Sequence, residues 1–151
     1  MRISTKGRYG IEAILDMAIY GSGESVSIKS ISERQGISQK YLEHIFSDLR
    51  KNGIVEGTRG GQGGYKISID ISRITVGKII RSLEGSLSPV KCLDEGMIAC
   101  EAFERCTTKD VWKGIKDQIE GVVDNITIKD LVNEYEKLKS KEAYKQIEYF
   151  I

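Results

Sequence analysis

Residues 27–69 carry the pattern that most constrains what this chain can fold into. Ser27 can cap a short helix with Ile28 and Ile31 on its inner side, and Gly36 can stop it. After the turn Gly36-Ile37-Ser38, Ser38 can cap a longer helix predicted to run to about Lys51. There Tyr41, Leu42, Ile45, Phe46 and Leu49 make one apolar stripe, and Gly53 provides the stop. IVEGTRGGQGGYKISI follows, two β-type runs at 54–59 and 65–69 around a glycine-rich tip, which reads as a hairpin. An earlier helical pattern at 6–20, with Ile11, Ile14, Leu15, Ala18 and Ile19, ends at Gly21–Gly23. Helix, helix, tight turn, helix, hairpin is the order of a winged helix-turn-helix.

Such a third helix needs one apolar side for docking and an opposite polar side that can reach base edges in a major groove. The polar side offers Gln39, Lys40, Glu43, His44, Ser47 and Arg50, with Ser38 and Tyr41 at its start. The tip TRGGQGGY sets Arg59 beside Gly60, Gly61, Gly63 and Gly64, with Tyr65 closing it. Glycine lets backbone approach a phosphate closely, and an arginine there could enter a minor groove. The alternative is a small α+β domain whose polar helix side meets only water. No GK[ST] follows the glycines, so the tip is not a nucleotide-binding P-loop. Residues 1–66 hold ten Lys/Arg against seven Asp/Glu, and residues 67–151 hold thirteen against fifteen. That mild asymmetry agrees with a polyanion-binding first half. His44 is the one histidine, no HExxH or nucleophile–base constellation is visible, and an enzyme is not expected.

A fourth helix is predicted from the Thr75 cap, carrying Val76, Ile79, Ile80 and Leu83. Thr107 or Thr108 opens a long helix to about Asn125, in which Trp112, Ile115, Ile119, Val122 and Ile126 are spaced 3, 4, 3 and 4 apart. That is an a/d seam, suited either to the chain's own core or to a second copy, and a homodimer joined here is the expectation. Thr127-Ile-Lys-Asp130 can open a last helix as a capping box. The fold class is therefore mostly α with a small β wing: a winged helix-turn-helix domain at 1–84, a cysteine loop at 85–107, a dimerisation helix at 108–126, and a C-terminal helix and tail at 127–151.

No apolar run of the roughly 18–20 residues that span a bilayer occurs, and no apolar segment follows the basic start MRISTKGRYG. A cytoplasmic location, with no membrane partner, is expected, and thiols there stay reduced. Cys92, Cys100 and Cys106 are separated by seven and five residues, without a tight CxxC. Thiolates suit iron–sulfur clusters, zinc or Cu(I). An iron–sulfur cluster on three thiolates and one other ligand, a zinc site, and three free thiols are the readings this spacing allows.

The chain resembles the iron–sulfur cluster regulator (IscR-like) family of bacterial winged-helix transcription regulators over nearly its full length. The resemblance rests on MRISTKGRYGIEAILDMA, ISQKYLEHIFSDLRKNGIV, RGGQGGY, ITVGKIIRSLEG, the three cysteines and DNITIKDLV. It implies a homodimeric regulator, a repressor by expectation, that binds a pseudo-palindromic double-stranded DNA operator. It also implies a [2Fe–2S] cluster on Cys92, Cys100 and Cys106, a role in base preference for Glu43, and a minor-groove approach for Arg59. The family's histidine three residues after the third cysteine is Lys109 here, and a lysine ammonium is a poor iron ligand. Glu101, Glu104 and Asp110, or Glu12 of a dimer partner's first helix, are the candidate fourth ligands. GRYGIEAI, RSLEGSLSPV and the ending EAYKQIEYFI are similar to a cluster-free branch, the cysteine-metabolism repressors (CymR-like). That likeness implies a tail, Tyr149, Phe150 and Ile151, able to enter the active site of cysteine synthase.

Overall fold

Ser4 starts the first helix by accepting the Gly7 N–H on its hydroxyl, and α1 runs Thr5–Tyr20. The computed structural model describes residues 2–61, 63–96 and 100–149, without the side chains of 144 and 146–149. Phe150 and Ile151 of the expected tail lie outside the described residues, as does the side chain of Tyr149. The caps anticipated at Ser27 and Ser38 form as hydrogen bonds to Ser30 N–H and Tyr41 N–H, opening α2 (Ile28–Gln35) and α3 (Gln39–Lys51). Gly36 ends α2 at φ +66°, a backbone conformation that a side chain would strain.

The hairpin is β1 (Val55–Thr58) and β2 (Gly64–Ile67), antiparallel, with Val55 opposite Ile67 and Thr58 opposite Gly64. Both strands are shorter than the β-type runs at 54–59 and 65–69. Val26, in the link between α1 and α2, exchanges two backbone hydrogen bonds with Tyr65, of 2.8 and 2.9 Å. The wing is thus tied to the start of the helix-turn-helix. A Cβ on Gly64 would come within 2.3 Å of the Val26 carbonyl oxygen, so only glycine fits this crossing.

A 3-10 turn, Ile71–Arg73, leads to α4 (Val76–Glu84), capped by Thr75 as expected. Two further 3-10 turns, Lys91–Leu93 and Phe103–Arg105, shape the cysteine loop, and α5 (Lys109–Val123) and α6 (Ile128–Tyr149) follow. Thr127 and Asp130 cap α6 reciprocally: the Thr127 N–H donates to the Asp130 carboxylate at 2.9 Å, and the Asp130 N–H to the Thr127 hydroxyl at 3.1 Å. Among the described residues no helix is long and apolar enough to cross a membrane.

Leu42, Ile45, Phe46 and Leu49 of α3 are fully buried, with Ile14, Ile31, Ile54, Ile74, Ile79 and Ile128 around them. On α1 the buried residues are Gly7, Gly10, Ala13, Ile14, Asp16 and Met17, so of the apolar pattern at 6–20 only Ile14 is buried, and Ile11, Leu15, Ala18 and Ile19 are half-buried. Small residues let α4 lie close, since a Cβ on Gly10 would approach the Leu83 methyl to 2.1 Å. The α6 helix is stitched back onto this core by Ile128 N–H to the Ile74 carbonyl at 2.8 Å, with Val76 N–H to the Ile126 carbonyl at 2.9 Å beside it. α5 differs, having no buried residue; it ends at Val123, short of the expected Asn125, so Ile126 of the expected seam lies in the link to α6, half-buried like Trp112 and Ile119, while Ile115 and Val122 are 40% and 59% exposed.

Candidate DNA-binding face and cysteine loop

The apolar stripe that buries α3 leaves its other side free, because successive residues turn by about 100°. Gln39, Lys40, Glu43, His44, Ser47 and Arg50 are all exposed, as is Ser38 at the cap. Tyr41 is half-buried, its ring meeting Tyr9 edge-on with centroids 5.7 Å apart. Glu43 and Arg50 lean to the wing side, where a groove of about 990 Å³ also collects Glu56, Gly57, Arg59 and Gly63. Arg59, Gly60, Gly61 and Gly63 are exposed at the tip, and Gly64 is half-buried. The groove therefore joins Glu43 and Arg50 of α3 to the wing residues, while Gln39, Lys40, His44 and Ser47 are exposed on α3 without lining it.

Two further groups fix this surface. The Asp16 side chain is fully buried, and Arg34 donates to it through Nε at 2.9 Å and Nη2 at 2.6 Å while Gln35 adds a bond of 2.8 Å. A buried carboxylate so fully bonded locks α2 to α1 and is strongly unfavourable to disturb. In the wing, the Thr58 hydroxyl accepts the Gly64 N–H at 3.0 Å, lies 3.1 Å from the Gly64 carbonyl, and meets the Ser25 hydroxyl at 2.6 Å. This closes the strand ends just below Arg59. Tyr65 packs its ring on Phe46 with centroids 4.8 Å apart, so in the single chain it anchors the wing to α3.

Sequence reading missed the Thr58 lock and one ion pair. Lys6 on α1 reaches Asp48 on α3 at 2.5 Å, and Lys51 stands 3.5 Å from the same carboxylate. The Lys6 hydrogen bond holds the Asp48 carboxyl below its usual range, with Lys51 adding to it. Neither feature has a local signal, since the partners are 42 positions apart in one case and 33 in the other.

Cys92 and Cys100 are exposed and Cys106 is half-buried. The Cys106 thiol is pulled down from its ordinary pKa first by the Thr108 hydroxyl, 3.4 Å from its sulfur, then by backbone N–H groups and the Lys109 charge. The same hydroxyl accepts the Trp112 indole N–H at 3.2 Å, so Thr108 ties the loop to α5 rather than capping it. Lys116 donates to the Leu93 carbonyl at 3.1 Å, fixing the residue after Cys92. Lys109 lies 5.3 Å from the centre of the Phe103 ring. Glu12, Glu101, Glu104 and Asp110 are exposed. Among the described residues no group of three or more His, Cys, Asp or Glu side chains is assembled to hold a metal ion. The donor types nonetheless suit an iron–sulfur group: three soft, accessible thiols, one already acidified.

A family model described as Rrf2, iron-dependent transcriptional regulator, matches residues 3–134. The HTH-type transcriptional regulator IscR of Serratia proteamaculans is 42% identical over 138 residues, covering 91% of this chain and 83% of the relative. Among solved structures, IscR of T. potens is 42% identical with a TM-score of 0.72, covering 91% of this chain and 90% of that one. CymR, the global cysteine regulator of B. subtilis, is 38% identical with a TM-score of 0.70, covering 89% of this chain and 98% of that one.

Proposed function

The chain belongs to the Rrf2 family of transcriptional regulators, and from that premise we propose that it is a homodimeric, sequence-specific DNA-binding repressor with a [2Fe–2S] cluster as its sensor. The observation that carries the DNA reading is the single concave surface shared by α3 and the wing. Seated in a major groove, α3 presents Gln39, Lys40, Glu43, His44 and Arg50 to base edges. The positive end of the α3 dipole, at its Ser38 cap, faces a phosphate in this arrangement. Arg59 and the tip glycines follow the backbone into the adjacent minor groove. Two such modules, joined through α5, read half-sites about 34 Å apart, one helical turn of DNA.

Cys92, Cys100 and Cys106 would hold the cluster, with Glu12, Glu101, Glu104 or Asp110 as the fourth ligand in place of the family histidine. Bound there, it supplies one-electron redox chemistry and sensitivity to oxygen. The chain's own part is mechanical. Thr108 and Lys116 tie the cysteine loop to α5, and Arg81 ties α5 to α4 of the DNA-binding domain. A change in loop order can then shift the spacing of the two reading heads. A shift worth about 1.4 kcal/mol changes operator occupancy roughly tenfold.

Enrichment of a random-sequence duplex library by the purified protein tests the first half. A pseudo-palindromic product protected over two half-sites is expected, and failure to enrich any sequence overturns it. The cluster is tested by visible absorption and by iron and sulfide content of anaerobically purified protein.

Lys109 in the histidine position, together with the likeness to the cysteine regulator, favours a second reading. In it the protein is cluster-free and is controlled by cysteine synthase gripping Tyr149, Phe150 and Ile151. A colourless, iron-free protein that binds cysteine synthase, and loses that binding when the three residues are deleted, would establish it over the first.

A further inference from the structure

On the side of α3 away from the wing lies a second concave surface, a cleft of about 340 Å³ between α3 and the first turn of α1. Lys6, Tyr41, His44, Ser47, Asp48 and Lys51 line it. Asp48 is the only carboxylate among these residues, and both lysines stand on it, at 2.5 and 3.5 Å. One carboxylate shared by two ammonium groups leaves a positive charge over. His44 and Ser47, both exposed on the same lip, add hydrogen-bonding groups without adding negative charge.

Position decides what this charge is for. A helix lying in a major groove about 12 Å wide has a sugar-phosphate strand along each rim. The wing faces one rim, and this cleft faces the other. Lys6 stands on α1, beside the recognition helix rather than on it. An ammonium group is a point charge without the two-pronged geometry that reads a base pair. Such contacts fix register on the duplex and carry no sequence information.

We propose that this cleft seats a backbone phosphate of the bound duplex, with Lys6 and Lys51 as its charged contacts. The inference rests on the reading of the chain as DNA-binding, and it adds to that reading two residues and a second rim.

The test compares wild type, Lys51→Ala and Lys6→Gln on two probes, a random-sequence duplex and the duplex enriched by the wild-type protein, across a series of KCl concentrations. Lys51 is 73% exposed, so its loss leaves the fold intact, and it keeps the test decisive should Lys6→Gln lower stability. Each variant is expected to weaken binding to both probes alike and to reduce the slope of log K against log salt by roughly 0.9. Unchanged affinity and slope in both variants, with wild type binding normally, would overturn the cleft and leave the DNA reading standing. A loss confined to the enriched duplex with the salt slope unchanged would also overturn it, because that is base reading. Wild-type protein that binds neither probe would remove the DNA reading itself.

Discussion

Arg81 of α4 grips Asp124, the residue that ends α5, through two parallel bonds of 2.6 and 2.9 Å. Glu120, one turn earlier, stands 3.5 Å from the same guanidinium. A Cβ on Gly77 would meet the Asp124 carboxylate at 2.0 Å, so the bare backbone of α4 is what admits it. Within the described residues this is the polar link that orients the exposed helix α5 against the buried domain. Asp124→Asn is expected to lower stability by about 1 kcal/mol or less, because the pair is more than a third exposed and water screens it. The pH dependence has a definite sign. Arg81 depresses the folded-state pKa of Asp124, so its contribution is complete above the unfolded value, 3.8, and is lost as pH falls through the lower folded value. Urea unfolding of wild type and variant should therefore differ by a constant amount at neutral and mildly acidic pH and converge at strongly acidic pH.

Thr58 governs a different link, between the wing's stem and its reading tip. Its hydroxyl uses one donor and two acceptor positions on Ser25 and Gly64, the full capacity of that group. Thr58→Val keeps the shape and removes all three bonds, at a stability loss of about 1 kcal/mol. The expected mark of a positioning role is larger than that loss explains: affinity for the enriched duplex falls severalfold in a protein still fully folded at the assay temperature. Thr58→Ser restores it. Equal affinity for all three proteins would show that the tip needs no such lock.

Local chemistry accounts for what the sequence made legible. Ser27, Ser38, Thr75 and the Thr127–Asp130 pair cap the helices they precede, because a cap depends on residues three positions away. The α3 stripe was equally readable, since four of its five apolar residues are fully buried and the fifth, Tyr41, is half-buried. The buried side of α1 was less so. It includes Gly7 and Gly10, where a Cβ would run into Glu84 and Leu83 of α4, and hydrophobicity patterns do not register an absent side chain. The Lys6–Asp48 pair and the Thr58–Ser25 bond were out of reach for a different reason. Each joins elements that meet only in three dimensions, and neither residue type announces its partner. The cysteine loop was visible as a set of donors, while its arrangement depends on tertiary ties such as Lys116 to the Leu93 carbonyl.

The two faces of α5 predict where a second copy docks. Of the seam read from the sequence, Trp112, Ile119 and Ile126 are half-buried in their own chain, whereas Ile115 and Val122 point outward with Val111 beside them, 55% exposed. Burying one such side chain in a partner contributes about 1.5–3 kcal/mol, and a two-fold interface uses each twice. Ile115→Asp and Val122→Asp are each expected to turn a dimer into a monomer in sedimentation equilibrium. Because neither side chain contributes to the chain's own buried core, the far-ultraviolet circular dichroism should be unchanged. Dimers that persist in both variants would place the joint on another surface.

Lys109 offers the sharpest probe of the sensor. It begins α5 three residues after Cys106, and its ammonium lies 5.3 Å from the centre of the Phe103 ring. An ammonium group has no lone pair to offer iron. Lys109→His replaces it with an imidazole, a good ligand for the same metal. If three thiolates and a weak oxygen ligand hold a cluster in the wild type, the variant should retain iron and sulfide longer in air and show an altered visible spectrum. Its content when prepared without oxygen should be no lower. If both proteins are colourless and iron-free even after anaerobic reconstitution, the three thiols are not a cluster site and the enzyme-controlled reading takes precedence. A variant that loses iron faster than wild type would instead show that position 109 does not face the metal, which would leave the fourth ligand to Glu101, Glu104, Asp110 or the partner copy's Glu12.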